Sequence, residues 1–376
     1  MKKILVATSA ILVGATAAFA GGIERSNQSV AVLFEKGRYV EFSYANVSPN
    51  TSGVGVALTF GEPSGDMTPS YNQFGFAYKA DINDRLSYAL IYDQPYGAVV
   101  DYPDATGYFA EGSEAAFDSD ALTAILRYKF PNKFSVYGGL RYQVISASAL
   151  VPFVTGPTGP FAGAPYQAQA ESDGSFGYLV GGAYEMPEIA MRVSLTYQSA
   201  IDHDLDTVES SVLGPNVPST TAIQTPESLT LDFQSGIARN TLLFGSVRWV
   251  DWSSFEIAPQ QYANPALVGA PLVFYDDDRV TWTLGVGRKL SEQWSVAGAV
   301  SYEKTTGSPT GNLGPTDGRI GLALSAIYTQ GNMKISTGIR FVDIGNASTR
   351  VGAAVPGGVF KDNDAVAIGF KVGYTF

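Results

Sequence analysis

Residue types that carry most enzyme chemistry are scarce in this sequence. It has no cysteine and a single histidine, His203, which stands between Asp202 and Asp204 near the outer end of a predicted strand. Hydrolysis would require this imidazole as the base for a nucleophile or a water, but we expect His203 to be a solvated loop residue. The phosphate-binding loop, HExxH and GxSxG motifs are absent. We therefore expect no catalytic residue, no cofactor and no enzyme activity.

The acidic balance of the chain restricts its partners. The 24 Lys and Arg residues against 35 Asp and Glu give a net charge of −11, whereas a nucleic-acid partner requires a basic surface. Asp276 to Asp278 could coordinate a hard cation, although an acidic outer loop is the commoner role of such a run. We predict neither nucleic-acid binding nor a metal site.

Three arginines are the candidates for ligand-binding chemistry. Arg141, Arg248 and Arg340 each lie about seven or eight residues beyond a short turn, on predicted strands of one direction, so they share one level. A guanidinium there can bind a carboxylate by paired hydrogen bonds. Asp232 is predicted opposite Arg248, so we expect that arginine to form a structural ion pair. Arg141 and Arg340 remain the ligand-binding candidates.

Apolar side chains share the predicted inner face with these arginines. Among them are Ile91, Leu179 and Phe244. An apolar pocket with a few placed polar groups is typical of a small-molecule site. We expect the three side chains to contact a hydrophobic ligand; the alternative is that they only fill or brace the interior.

The elements that must position these residues are β-strands. Apolar residues alternate with small or polar ones, as in the closing AVAIGFKVGYTF, where Val366, Ile368 and Phe370 fall on one face. Fourteen such stretches span residues 38–48, 73–82, 85–96, 118–130, 134–150, 174–186, 189–204, 226–238, 241–256, 279–290, 293–305, 318–329, 333–345 and 362–376. Short turns alternate strictly with long Gly/Pro/Asp-rich connections such as 205–225, which is the pattern of bacterial outer-membrane barrels.

A closed barrel explains the alternation physically. Hydrocarbon offers the backbone no hydrogen-bond partner, so a sheet can span a membrane only when it closes on itself. Apolar residues such as Phe74, Leu126 and Phe341 then face lipid, and aromatic residues near the strand ends form interfacial girdles. We predict an all-β, transmembrane antiparallel barrel over residues 38–376. A soluble sandwich or propeller usually has shorter strands.

The N-terminus predicts export. Residues 1–20, MKKILVATSAILVGATAAFA, combine a positive start, an apolar core and a small-x-small cleavage site, which is typical of a cleaved signal peptide. The rest of the chain has no run of 18 apolar residues that could form a spanning helix. We expect the mature chain to lie in the bacterial outer membrane as a monomer, with outer-membrane lipid as a partner.

The third predicted strand contains an irregularity. Its sequence runs into Pro95, Tyr96 and Gly97 where the barrel wall should continue. Proline donates no ladder hydrogen bond and glycine weakens a strand, so the two mark edges, bulges or bends. The strand either ends here or carries a kink that opens a gap in the wall.

Several segments resemble the outer-membrane long-chain fatty acid transporter family, the FadL-like proteins. The strongest carriers are NQSVAVLFEKGRYVEFSYANVSP (27–49), YDQPYGAVVDYP (92–103), TPESLTLDFQSGIARNTLLFGSVRWVDWSSFE (225–256) and DNDAVAIGFKVGYTF (362–376). The resemblance implies a fourteen-stranded barrel, with residues 21–37 as a short N-terminal plug, or hatch. It also implies that Pro95, Tyr96 and Gly97 form a lateral gate.

The resemblance implies passive transport of long-chain fatty acids or similar hydrophobic molecules. The ligand would enter from the outer loops, occupy an apolar pocket in the lumen and leave sideways through the kink. Other functions stay open: a channel for other hydrophobic compounds such as aromatic hydrocarbons, a general porin for polar solutes, and a surface adhesin.

Overall fold

The computed structural model describes residues 23–57, 60–152, 164–352 and 355–376. The predicted signal peptide, residues 1–20, lies outside the described residues. None of the helices in these ranges is long and apolar enough to cross a membrane.

The described residues form one closed antiparallel barrel of fourteen strands, which confirms the predicted fold class and strand number. Four of the strands consist of two consecutive segments. The strands are β1 Tyr39–Asn50, β2 Tyr71–Asp81, β3 Leu86–Asp93 with Gly97–Asp101, β4 Glu114–Lys129, β5 Phe134–Val151, β6 Tyr166–Ala170 with Asp173–Met186, β7 Met191–Gln198 with Ile201–Ser211, β8 Gly214–Thr225 with Ser228–Ala238, β9 Thr241–Val250, β10 Arg279–Lys289, β11 Trp294–Glu303, β12 Arg319–Gln330, β13 Met333–Ile344 and β14 Asn363–Thr375.

Pairing of the first and last strands closes the sheet. β1 pairs with β14 from Tyr39 and Thr375 onward, and with β2 on its other edge. Closure joins the two terminal strands, whose edges would otherwise be left unpaired in hydrocarbon at a cost of several kcal/mol for each backbone group. We call the end with the short connections the turn end and the opposite end the loop end.

The alternation of side chains sorts them between lipid and lumen. On β4, Leu122 and Leu126 are 52 % and 55 % exposed, whereas Thr123 and Arg127 are 1 % and 2 % exposed. Apolar side chains that would be buried in a soluble protein therefore cover the outside, and polar ones are enclosed. This inverted distribution is typical of a transmembrane barrel.

The connection predicted over 205–225 is wrong. These residues extend β7 and β8 into a long hairpin, in which Leu205 pairs with Thr221 and Thr207 with Ser219. Charged and small residues suggested a loop, but they alternate with buried ones along the strand. Backbone pairing between the two arms fixes this alternation, whatever the polarity of the outward side chains.

Short elements cover the loop end. Glu256–Ile257 pairs with Val273–Phe274, and Gly53–Gly55, Ala347–Val351 and Val355–Phe360 form a small three-stranded sheet. Short 3-10 helices also occur at separate places along the chain, at Ala31–Phe34, Pro187–Ile189 and Trp252–Ser254.

Candidate functional site

The wall of the barrel is irregular within β3. Between Asp93 and Gly97, β3 advances by four residues while its neighbour β4 advances by three, from Ala121 to Asp118. The extra residue makes a β-bulge, which bends the strand. Pro95, which has no N–H to contribute to the ladder, lies within it.

The bulge leaves an opening between β2 and β3. The two strands pair only from Phe76 to Asp81 on the β2 side, so among the described residues 71–75 have no backbone partner in β3. One of these N–H groups, that of Phe74, donates instead to the side-chain oxygen of Gln94 at 2.9 Å. A side chain thus bridges the wall where the backbone ladder is interrupted.

The N-terminal segment, residues 23–37, completes the backbone hydrogen bonding at the bulge. The Gly97 N–H donates to the Ile23 carbonyl and the Arg25 N–H donates to the Pro95 carbonyl, each at 2.8 Å. Glu24 and Tyr96 form the isolated antiparallel bridge between these two hydrogen bonds. The segment acts as a short extra strand on the inner side of the opening.

The Arg25 side chain occupies the opening itself. Its guanidinium lies where a Gly97 side chain would stand, with the Cζ atom 2.3 Å from an ideal Cβ position. The neighbouring Ala98 lines the interior, so Gly97 faces the other side of the wall. Arg25 there donates to the exposed carboxylate of Asp118 at 3.2 Å, and its Cζ lies 4.2 Å from the centre of the Tyr71 ring.

A buried ion pair holds the N-terminal segment inside the barrel. The Glu24 carboxylate is fully buried and accepts from Nε of Arg248 at 3.0 Å. Arg248 also donates to Thr230 Oγ1 at 2.8 Å. Two charges enclosed away from water are tolerated only when they are paired and hydrogen-bonded, so each fixes the position of the other.

The predicted partner of Arg248 is wrong. The register places Thr230 opposite Arg248 and Ser246 opposite Asp232. A bulge next to Gly236, near the turn between β8 and β9, shifts the pairing relative to a regular hairpin. The ion pair that was expected within the hairpin is instead made with the N-terminal segment.

The structure places the two arginine candidates in separate surroundings. Arg141 donates from Nε to Thr123 Oγ1 at 3.0 Å and from Nη1 to the side-chain oxygen of Gln28. Arg340 donates from Nη2 to Ser301 Oγ at 2.8 Å. Arg141 therefore binds the N-terminal segment, while Arg340 contacts the wall on another side of the barrel.

Phe34 anchors the N-terminal segment near the turn end. The guanidinium groups of Arg127 and Arg192 lie over its ring, with Cζ 4.4 Å and 4.2 Å from the ring centre. Tyr137 meets the same ring edge to face at 6.2 Å. Arg127 also donates to the Leu33 carbonyl at 3.1 Å. The segment thus packs as part of a buried cluster rather than as a loose tail.

The single histidine lies inside the barrel, so its predicted place in a solvated loop is wrong. His203 is 2 % exposed, because Ile201–Ser211 continues β7 and turns this position inward. Its Nδ1 lies 2.9 Å from Asp173 Oδ2 and its Nε2 lies 3.2 Å from Gln143 Oε1.

An inner cavity lies beside the N-terminal segment and reaches the opening. Together with the open solvent at its mouth, its unfilled space amounts to about 1560 Å³. Its lining includes Ile91 and Phe244, two of the predicted ligand contacts, together with Gly75 and Phe76 at the edge of the opening. Leu179 packs instead in the buried cluster around Phe34.

An outer cavity lies on the loop side of the N-terminal segment. Its unfilled space, together with the open solvent at its mouth, amounts to about 620 Å³, and it is lined mainly by alanine, valine, leucine and isoleucine side chains. Ile23 contributes to its lining and also belongs to a buried aromatic cluster. In that cluster Trp252 lies 5.9 Å from Tyr96 and 5.1 Å from Tyr275 between ring centres.

A third cavity lies among the outer loops and adjoins the outer cavity. Its unfilled space, together with the open solvent at its mouth, amounts to about 600 Å³, and it shares Leu272 and Leu313 with the outer cavity. Tyr262 lines it, and burial raises the pKa of that phenol to about 12, which keeps it neutral. The three cavities form a series from the loops, past the N-terminal segment, to the opening between β2 and β3.

Sequence reasoning did not identify Glu24 and Arg25 as site residues. The signal that could have found them is the charged pair Glu24-Arg25 directly after an exported N-terminus, since charges enclosed in a barrel need partners. Trp252 was noted in the sequence only as part of the segment WVDWSSFE (249–256), and no role was assigned to it. Among the described residues, no group of three or more His, Asp or Glu is placed to hold a metal ion.

A lipid-facing barrel with a series of interior cavities defines a channel protein of the outer membrane. Residues 40–312 match a family model described as outer membrane protein transport protein (OMPP1/FadL/TodX). The chain therefore belongs to this family of transport proteins, and the resemblance to FadL-like proteins is confirmed. No curated protein sequence matches the chain significantly.

Solved structures share the fold. A FadL homologue of Pseudomonas aeruginosa superposes with a TM-score of 0.76 at 16% identity, covering 97% of this chain and 98% of that chain. The toluene transporter TodX of P. putida gives 0.65 at 12% identity, covering 92% of each chain. The toluene transporter TbuX of Ralstonia pickettii gives 0.65 at 14% identity, covering 96% of this chain and 98% of that chain.

Proposed function

We propose that this protein transports hydrophobic molecules passively across the outer membrane and releases them sideways into the bilayer. The observation that carries the proposal is the opening between β2 and β3, which adjoins the inner cavity at Gly75. Release into lipid avoids returning apolar surface to water, which costs roughly 25 cal/mol per Å².

The N-terminal segment serves as the plug in this proposal. It separates the outer from the inner cavity and covers the opening with Arg25. A ligand can reach the bilayer only when residues 23–28 move, because their backbone fills the place of the missing ladder at Pro95 and Gly97. The path needs no energy source, since consumption of the ligand inside the cell maintains the gradient.

Both ligand classes expected from the sequence, long-chain fatty acids and aromatic hydrocarbons, are hydrophobic enough for this path. A general porin for polar solutes is less well supported. Its lumen should be a water-filled channel, whereas here the side chains of Leu33 and Phe34 pack inside the barrel and are 0 % and 7 % exposed.

Blocking the exit tests the proposal. Gly75 lines the inner cavity in the unpaired stretch of β2, so Gly75→Phe places a ring in the path. Because a Cβ at Gly75 would lie 2.5 Å from Ser43 Oγ, the variant carries Ser43→Ala as well. Uptake of radiolabelled naphthalene by cells that carry the variant should fall to the level of cells without the protein.

The matched control places the same ring on the lipid side of the wall. Gly298 lies on β11, where an added Cβ would meet only the Leu324 side chain at 3.5 Å and a backbone oxygen at 3.8 Å. Gly298→Phe should assemble and support uptake like the parent. Undiminished uptake by the Ser43→Ala/Gly75→Phe variant would rule out release between β2 and β3.

A further inference from the structure

Resting on the proposed function, the structure assigns an uncharged ligand to this path: we propose that the protein selects neutral hydrophobic molecules and excludes carboxylates such as fatty acid anions. The charged and polar groups at three successive places along the path select against a carboxylate.

The outer cavity offers a carboxylate no counter-charge. Among the described residues, none of the side chains that line it is charged, and its polar groups are the hydroxyls of Ser148, Thr207 and Thr221. Thr207 and Thr221 already lie 2.9 Å apart in a hydrogen bond with each other. An ionised carboxylate moved from water into such surroundings loses its hydration without replacement.

The cations next to the outer cavity are occupied by the protein itself. On the turn side, Arg248 is bound to Glu24 and Arg141 to Gln28. On the loop side, Arg350 is the one charged residue among the described lining of the third cavity. Both of its terminal nitrogens donate to Asp276, at 2.8 Å and 3.0 Å.

Both terminal nitrogens of Arg350 are therefore occupied, and its Nε is buried without a hydrogen-bond partner among the described residues. Its guanidinium lies over Phe274, with Cζ 4.0 Å from the ring centre, and the bidentate contact with Asp276 uses the terminal edge that could bind a ligand carboxylate. A fatty acid anion would have to displace Asp276, a carboxylate already in place.

The charged side chains at the exit are largely paired with one another. The inner cavity is lined by four acidic side chains, Glu35, Glu41, Asp93 and Asp232, and by two basic ones, Arg192 and Lys371. At the lipid side of the opening stand two further carboxylates, Asp118 and Asp120, which accept from Arg25 and from the Tyr92 hydroxyl. Glu35, Glu41 and Asp93 lie within ion-pair distance of Lys334, Lys371 and Arg141, so an anion on its way out would have to compete with a carboxylate already in place.

Matched pairs of ligands that differ in charge and by one methyl group test the inference. The purified full chain in detergent is titrated calorimetrically with methyl benzoate against benzoate, and with methyl hexadecanoate against hexadecanoate. We expect each ester that binds to do so at least about tenfold more tightly than its acid anion at pH 8. The short and long pairs separate the effect of charge from that of length.

Every outcome bears on the inference. An anion that binds as tightly as its ester overturns the exclusion of carboxylates and leaves transport of hydrophobic molecules standing. Benzylamine bound more tightly than methyl benzoate overturns the requirement for a neutral ligand, because it shows that the acidic lining selects cations. If neither ester binds, the inference fails together with the proposed function.

A charge-altering variant tests the part assigned to Arg350. Asp276→Asn frees the two terminal nitrogens of Arg350 from their carboxylate partner. The affinity of the protein for hexadecanoate, divided by its affinity for the methyl ester, should therefore rise about tenfold. The control, Asp276→Asn with Arg350→Met, removes the cation as well and should return the ratio to the parent value. A ratio that stays unchanged in Asp276→Asn overturns the role of the Asp276–Arg350 pair in excluding anions.

Discussion

Removal of the Glu24 carboxylate should release the N-terminal segment. In the intact protein this carboxylate and Arg248 are 0 % and 4 % exposed, so Glu24→Ala leaves a buried guanidinium with only hydroxyl partners. Removing one member of such a pair costs about 3–5 kcal/mol. Because Arg248 can regain water when the segment leaves, this cost should raise the population of the released state by a factor of about 10² to 10³ or more.

A reporter cysteine measures that population. The chain has no cysteine of its own, and Val30 is 5 % exposed, so Val30→Cys provides one protected thiol in the segment. When closing is faster than chemical reaction, the rate of thiol labelling follows the fraction of molecules that are open. Labelling of Val30→Cys should be about 10² to 10³ times faster in the Glu24→Ala background.

Two controls separate release from general damage. Adding Arg248→Met to Glu24→Ala removes the unpaired charge and should return most of the protection, because an apolar replacement leaves no buried ion. Ser29→Cys, at an already exposed position of the same segment, should label at the same rate in all backgrounds. If Glu24→Ala leaves the labelling of Val30→Cys within about threefold of the parent, the ion pair does not hold the segment.

Other parts of the structure give further expectations. Phe34→Ala removes the ring held between two guanidinium groups and should raise ion conductance through single proteins in planar bilayers, whereas Phe34→Tyr should not. Asp317→Ala removes the acceptor of Arg279 at 2.8 Å and of the Gly307 N–H at 2.7 Å, so proteolysis within 304–316 should be at least about tenfold faster. Ala147→Leu fills part of the outer cavity and should weaken ester binding in calorimetry; unchanged affinity would show that ligands bind elsewhere.

Local sequence pattern determined the barrel and its break. The alternation of apolar and polar residues predicted fourteen strands because each strand must present one face to lipid and the other to the lumen. Pro95 and Gly97 marked the irregular place in the third strand because the backbone limits of these two residue types are local properties. The same local reasoning placed Ile91 and Phe244 on the inner face, where they line the inner cavity.

Tertiary structure alone decided which groups meet inside the barrel. The contact of Glu24 with Arg248 joins residues 224 positions apart, and that of Gln28 with Arg141 joins residues 113 apart. The N-terminal segment has no regular period, so its sequence contains no signal for the strands it contacts. Register failed for the same kind of reason, since the observed pairing, with its bulge near Gly236, places Ser246 rather than Arg248 opposite Asp232. Side-chain periodicity depends on neighbours along the chain, whereas the partner of an enclosed charge depends on how the whole wall closes around it.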